Sequence, residues 1–313
     1  MGQANGRRAK FFAEHPMCIF CGGAAPAETE EHCPPRSLFK DRAWPEGFVF
    51  PACVACNAGS SDADLVAAFL AQLRHNSDVV SSRSEGIMRQ LHRQHPGLIG
   101  RMLIRSPIEA RARARRLGIE PRPGETHLDL GLVKVTAEME HAVSVLASKL
   151  TKAVFYVHTG RIFPAVGSIN LHWFTNAELL DPAHRQSVAA TAGLATLRPP
   201  VTRGGKDLRD QFDYSYGVDT KEELLLLHVG FGDTFGFVSL AGCVPGQLDE
   251  MSERIDARLL KETGAIPRSP FKRLTADLGQ GGTAQSASSS NSVEESHAHW
   301  EFPTSEAHTR PPI

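Results

Sequence analysis

Apolar residues recur at helical spacing in the stretch SSDADLVAAFLAQL, and this pattern predicts a helix. Ser60 or Ser61 is the expected N-cap, because a serine hydroxyl can accept a hydrogen bond from a free amide of the first turn. Asp62 and Asp64 follow in that turn, where the helix dipole favours carboxylates. The apolar positions of this helix are Leu65, Val66, Phe69, Leu70 and Leu73.

Helix and strand patterns mix after the break that Pro121 and Pro123 make in the chain. The stretch THLDLGLVKV alternates apolar and polar residues, which predicts a strand. A long helix comes next and is expected to stop at Gly160. Its apolar positions are Met139, Val143, Leu146, Leu150, Val154 and Val157. The stretches QFDYSYGV, LLLLHVGF and FGFVSLAG predict three further strands, the last two joined as a hairpin through GDT.

These patterns predict an α+β fold class and divide the chain into four parts. Residues 1–75 form a small unit that contains two cysteine pairs, and residues 76–122 form an arginine-rich helical connector. Residues 123–273 form a mixed α+β domain with antiparallel strands and no task that the sequence assigns. Residues 274–313, with GQGGTAQSASSSNSVEES, have the low-complexity composition of a disordered tail.

Charge is balanced over the whole chain but not along it. Lysine and arginine total 34 against 35 aspartates and glutamates. From Arg83 to Arg122, however, ten arginines face three glutamates and no aspartate. This excess suits a phosphate-facing surface, and a solvated helical face explains it as well.

The chain has no apolar run of the roughly 18 residues that a membrane span needs. The basic N-terminus is not followed by an apolar stretch, so it does not resemble a secretory signal. We therefore expect a cytoplasmic protein that does not bind a membrane.

Four of the six cysteines form two Cys-x2-Cys pairs, Cys18 with Cys21 and Cys53 with Cys56. Paired thiolates at this spacing are typical of a tetrahedral structural Zn²⁺ site. Iron in the same four-sulfur site is the alternative that the ligands leave open. Cys33 and Cys243 have no such partner in the sequence and are expected to be small buried apolar residues.

The cysteine pairs and the segment between them resemble a known family. Cys-x2-Cys, then Glu-His-x-x-Pro-Arg-Ser-Leu-Phe, then Pro-Ala-Cys-x2-Cys-Asn resembles the zinc-supported HNH endonucleases of the ββα-metal or treble-clef type, over roughly residues 15–65. The resemblance implies a β-hairpin and a helix that hold one divalent ion beside a scissile phosphate of DNA, with the cysteines bracing the site from outside.

The resemblance also implies roles for individual residues. His32 matches the general base that takes a proton from the attacking water, and Glu31 and Asn57 match ligands of a catalytic Mg²⁺ or Mn²⁺. Asp62 lies where a further metal ligand can occur. Arg36 is a candidate phosphate contact, because a guanidinium can pair with a phosphate in a bidentate way. The expected partner is double-stranded DNA; one centre would nick a single strand, and a homodimer would cut both.

The chain departs from the HNH pattern at its middle letter. No asparagine lies between His32 and Cys56, and the usual spacing leads to Phe48. An endonuclease is the leading hypothesis. The alternatives are a non-catalytic treble-clef zinc module that binds nucleic acid, and an interaction protein in which the zinc site is only structural.

Overall fold

A computed structural model describes residues 2–73, 82–221, 223–250, 253, 272–274 and 299–300. Within them the chain is a mixture of eight α-helices and antiparallel sheets, so the α+β prediction is confirmed. The helices are α1 (Gly2–Glu14), α2 (Val54–Ala58), α3 (Ser61–Leu70), α4 (Ser82–Gln94), α5 (Leu98–Met102), α6 (Pro107–Leu117), α7 (Ala137–Thr159) and α8 (Pro182–Ala192). The strands are β1 (Thr29–His32), β2 (Val49–Ala52), β3 (Val133–Lys134), β4 (Ser168–Thr175), β5 (Thr202–Arg203), β6 (Lys206–Asp207), β7 (Asp213–Asp219), β8 (Leu224–Phe231), β9 (Phe235–Gly242), β10 (Lys272–Leu274) and β11 (His299–Trp300).

Helix α7 is the centre of the fold. It packs against α3 on the N-terminal side and contacts strands β4 and β9 of the main sheet. That sheet has five strands in the order β10-β4-β9-β8-β7. One cluster of buried apolar side chains extends from the first cysteine pair through α3 and α7 into the sheet. Residues 1–75 and 123–273 therefore share a hydrophobic core.

The two helices predicted from apolar spacing are both present. In α7 the Thr136 hydroxyl caps the first turn by accepting from the Met139 amide at 3.4 Å. The helix ends at Gly160, whose φ of 68° is a left-handed conformation that glycine adopts without strain. Helix α3 begins at Ser61 as predicted, but Ser60 does not cap it with its side chain.

The predicted hairpin is also present: β8 and β9 pair in antiparallel fashion from Leu224–Gly242 to Phe231–Phe235. The strand predicted over THLDLGLVKV is wrong for all but Val133–Lys134. At its start the Thr126 amide and hydroxyl both donate to the Asp129 carboxylate, at 2.6 and 2.7 Å. This local side-chain bond stabilises a turn in competition with the extended ladder.

The described part of the arginine-rich connector contains α4, α5 and α6, with non-helical residues at 95–97, 103–106 and 118–122; its part before Ser82 lies outside the described residues. Most of the predicted disordered tail, 274–313, also lies outside them. Two described pieces of it are strands, since Leu274 ends β10 and His299–Trp300 pair with β3. None of the described helices is long and apolar enough to cross a bilayer.

Candidate metal centre and arginine cluster

The four paired cysteines come together in one group. The sulfur atoms of Cys18, Cys21, Cys53 and Cys56 all lie within 4.8 Å of one another, and all but Cys21 belong to buried residues. Cys53 is the N-cap of α2, and its sulfur accepts from the Cys56 amide at 3.4 Å. Four sulfur donors at this spacing could hold a metal ion such as zinc, and they fit the closed coordination of a structural site.

The acidity of these thiols reflects their crowding. A hydrogen bond from the Cys56 thiol is the main reason that the pKa of Cys18 falls to about 4. The same contact raises the pKa of Cys56. Thiolate charge in this group would be stabilised by a bound cation, because the thiolate is the form that ligates metals.

The turn that carries the first cysteine pair is fixed to the rest of the chain. The carbonyl of Phe20 accepts from Lys152 Nζ of helix α7 at 2.8 Å. Gly22 has a φ of 70°, and a Cβ atom there would lie 2.5 Å from the backbone nitrogen of Ala165. A glycine is needed at this position for both its backbone conformation and this close approach.

The β1–β2 hairpin separates Glu31 from His32. Glu31 pairs with Phe50 and His32 with Val49, in antiparallel register. Because side chains alternate along a strand, Glu31 points into the interior and His32 toward the partly exposed side. Strand β2 leads directly into Cys53, so the hairpin and the cysteine group form one continuous structure.

Glu31 belongs to a buried ionic network with helix α7. Lys149 Nζ donates a very short hydrogen bond to the Glu31 carboxylate and a second one to Ser60 Oγ at 2.7 Å. Ser60 in turn donates to Asp64 Oδ2 at 3.0 Å. Glu31 and Lys149 are each 6% exposed and Ser60 is 1% exposed, so these three are closed to solvent, whereas Asp64 is half-buried.

The protonation of this network depends on two carboxylates, those of Glu31 and Asp64, that lie near one amine, that of Lys149. Burial raises the pKa of Glu31 to about 7, against the lowering effect of Lys149. Burial likewise raises the pKa of Asp64. Burial by itself would lower the pKa of Lys149, but the two carboxylates outweigh it and leave that pKa raised. The ammonium therefore stays charged at neutral pH.

Arginines and one tryptophan surround His32 on the other face of the hairpin, and we call His32, Arg36, Arg42, Trp44 and Arg203 the arginine cluster. Arg36 donates to His32 Nε2 at 2.7 Å, and the His32 ring meets the Trp44 ring edge-on at 4.7 Å. The guanidinium carbons of Arg36 and Arg203 lie over the Trp44 ring, 4.0 and 3.6 Å from its centroid. Stacking of this kind holds a guanidinium in place and leaves those of its N–H groups that are neither bonded nor buried for an anion.

Arg203 reaches the cluster from far along the chain. It lies in the short β5–β6 hairpin and donates to the Trp44 carbonyl at 3.1 Å. Glu46 fastens the same hairpin, because its carboxylate accepts from the Gly204 amide at 2.7 Å. Phe48, where the HNH pattern has asparagine, is buried among aromatic rings. The cluster is therefore built jointly by the N-terminal unit and the C-terminal part.

The arginine cluster has an excess of positive charge. No ion pair joins Arg36, Arg42 or Arg203 to a carboxylate within the described part of the chain, and Arg36 Nε is buried without a hydrogen-bond partner. Burial lowers the pKa of Arg36, and the two other arginines add to the effect. Glu30 is a nearby carboxylate that opposes it. An anion bound here would be hydrogen-bonded and charge-compensated.

We expect His32 to be neutral at pH 7 and to titrate near pH 4. Burial and then Arg36, Arg203 and Arg42 lower the pKa of His32 to about 4. The unfolded chain has a histidine pKa of about 6.5, so between about pH 6.5 and pH 4 the folded chain binds fewer protons than the unfolded chain does. The stability that His32 contributes is therefore lost as the pH falls from about 6.5 to about 4. Histidine NMR spectra recorded against pH measure the midpoint.

Arg203→Gln is expected to raise this midpoint, because it removes one of the three cations. Arg185→Gln, at an exposed position of α8, is the matched control and is expected to leave it unchanged. A midpoint at or above 6.5 for His32 in the folded protein would contradict this picture of the cluster.

The structure does not assemble the predicted Mg²⁺ or Mn²⁺ site. Asp62 is exposed on the first turn of α3, and Asn57 is half-buried on α2. The Glu31 carboxylate, which would be the central ligand, is paired with Lys149 instead. Among the described residues only the four cysteines form a group of three or more Cys, His, Asp or Glu ligands close enough to hold an ion. As arranged, these oxygens do not fit a divalent ion.

Sequence reasoning did not identify Lys149, Ser60, Asp64, Trp44 or Arg203 as parts of a site. One signal was available: Lys149 and Lys152 fall on the apolar side of the pattern that predicts α7. A lysine in such a position is rarely buried without a specific partner.

No family model, curated protein or solved structure matches this chain.

Proposed function

We propose that this protein binds the phosphate backbone of double-stranded DNA through the arginine cluster, on a hairpin that zinc braces in a treble-clef arrangement. The observation that carries the proposal is the pair of guanidiniums stacked on Trp44 beside His32, without carboxylate partners in the described chain. Guanidinium edges match phosphate oxygens in a bidentate way, and stacking on a ring preserves that edge.

The zinc site would act by fixing the hairpin. Cys53 and Cys56 join the end of β2 to α2, and Cys18 and Cys21 hold the preceding turn against them. With the ion in place, the strand that carries His32 and the turn that carries Arg36 would be rigid. A rigid site loses less conformational entropy on binding, which favours affinity.

The arginine-rich connector offers a second surface for the same partner. Its arginines at positions 105, 111, 115 and 116 are exposed on and near α6. Arg113, by contrast, is buried and paired with Glu109, so it serves the helix itself. The exposed arginines would add nonspecific contacts to neighbouring phosphates.

Fluorescence anisotropy with a labelled DNA duplex tests the proposal. Three arginines on three phosphates predict a slope of about −2.7 in log affinity against log salt, or roughly 40-fold weaker binding at 200 mM than at 50 mM salt. Absence of binding at 50 mM salt, or an affinity that does not depend on salt, would contradict the proposal.

Metal-dependent hydrolysis of the DNA, as an HNH endonuclease, is the second candidate function. The observation in its favour is His32 itself, a partly exposed neutral imidazole within reach of guanidiniums. The Arg36 bond to His32 Nε2 would first have to open, and His32 would then accept a proton from water while Arg36 and Arg203 hold the phosphate. This candidate also requires Lys149 to leave the Glu31 carboxylate, because Glu31, Asn57 and Asp62 as arranged do not fit the divalent ion that such hydrolysis needs.

Supercoiled plasmid distinguishes the two candidates. The binding function predicts that the plasmid is retarded on a gel and stays supercoiled in Mg²⁺, in Mn²⁺ and in EDTA. Nicking that needs Mg²⁺ or Mn²⁺ and disappears in a folded His32→Ala protein would establish the endonuclease instead.

A further inference from the structure

The oxygens around Lys149 resemble the ligand set of a hard cation. The Glu31 carboxylate and the Ser60 hydroxyl contact the ammonium directly. Asp64 joins them through Ser60 and through its charge. Oxygen atoms from two carboxylates and a hydroxyl are the donors that Mg²⁺ and Mn²⁺ prefer. In this protein the positive charge at their centre is a side chain.

The lysine cannot withdraw from this position by a local movement. It projects from the middle of α7, where its helix neighbours Leu146, Leu150 and Ala153 are at most 1% exposed. One turn further on, Lys152 is also buried and bonds to Phe20 in the turn of the first cysteine pair. Moving α7 away from Glu31 would therefore open the hydrophobic core that the two halves of the chain share.

We infer that the Lys149 ammonium is the permanent cation of the Glu31 site, and that the hairpin holds phosphate without a divalent ion beside His32. The statement about phosphate rests on the proposed function, and the assignment of Lys149 as the cation of the Glu31 site goes beyond it. It assigns a positioning role to Lys149: the ammonium neutralises Glu31 from inside, so the strand can present His32 and its arginines on the outer face.

Mn²⁺ binding to the full-length zinc-loaded protein, followed by the EPR signal of free Mn²⁺, tests the inference. The wild type is expected to bind no more Mn²⁺ than Glu31→Gln does. Lys149→Ala is expected to gain one bound Mn²⁺ per chain, because it leaves Glu31, Asp64 and Ser60 around a space that lacks a cation. The added substitution Glu31→Gln is expected to remove that ion again.

Lys152→Ala is the matched control, since it removes a neighbouring buried lysine of the same helix and is expected to gain no Mn²⁺. A wild-type Mn²⁺ site that Glu31→Gln abolishes would overturn the inference even if Lys149→Ala does not fold. A folded Lys149→Ala protein that takes up no Mn²⁺ would also overturn it. DNA binding does not enter this assay, so its outcome is separate from that of the proposed function.

Discussion

Cys56→Ser is expected to abolish metal binding and to unfold the N-terminal hairpin. Structural zinc contributes about 10–16 kcal/mol of apparent binding free energy, which is comparable to the whole stability of a typical domain, about 5–15 kcal/mol. Cys56 connects α2 to the other three sulfurs, and β1 and β2 have four residues each. A two-stranded hairpin of this size is not stable in water without further support.

Zinc content and thermal unfolding by circular dichroism measure this effect. Cys243→Ala is the matched control, because Cys243 is also a buried cysteine but lies outside the sulfur group. It is expected to keep a full equivalent of zinc and to lose at most about 1–2 kcal/mol of stability, as small changes in a core do. If Cys56→Ser unfolds at the wild-type temperature, or if wild-type protein refolded with zinc holds none, the assignment of a structural metal ion to the four cysteines is wrong.

Lys149→Met is expected to cost about 3–5 kcal/mol of stability. Removing one partner of a buried ion pair leaves the other charge without compensation, and the buried Glu31 carboxylate would remain near the like charge of Asp64. Adding Glu31→Gln is expected to recover part of the loss, because it removes that charge. Arg161→Ala is the control, since its ion pair with Glu223 lies at the surface, where solvent screens it, and its loss is expected to change stability little.

The loss in Lys149→Met is expected to grow as the pH rises. Without the ammonium, the pKa values of Glu31 and Asp64 rise further above their unfolded values, so the folded chain binds more protons than the unfolded one above about pH 4. Stability then falls with increasing pH. Urea denaturation at pH 5 and pH 8 measures the change. A smaller deficit at pH 8 than at pH 5 would contradict the charge network.

Sequence reasoning reaches those parts of the fold and site that local pattern determines. Apolar spacing identified α3 and α7, and two Cys-x2-Cys pairs identified the four cysteines that come together in one group. The strand over residues 126–135 was wrong because a Thr126–Asp129 turn competes with the extended conformation. In each of these cases the deciding groups lie within a few residues of one another, except that the fold brings the two cysteine pairs together.

The two charged contacts that decide the site are determined by tertiary packing instead. Lys149 meets Glu31 across 118 positions, and Arg203 meets Trp44 across 159. Neither pair has a spacing that a sequence pattern could reveal. The HNH resemblance directs attention to Glu31 and His32, but the fold pairs Lys149 with the Glu31 carboxylate, which the resemblance implies as a ligand of a divalent ion. Their chemistry depends on α7 and on the β5–β6 hairpin.

The affinity of Arg36→Gln and Arg203→Gln proteins for a DNA duplex tests the central claim most directly. A hydrogen bond to a charged group contributes about 1.5–3 kcal/mol, so each substitution is expected to weaken binding by about tenfold or more at 50 mM salt. Each should also reduce the salt slope by about 0.9. Arg185→Gln carries the same change of charge at an exposed position on α8 and is expected to bind within about twofold of wild type. If all three variants lose the same affinity, or if the two cluster variants bind as wild type does, the arginine cluster is not the DNA site.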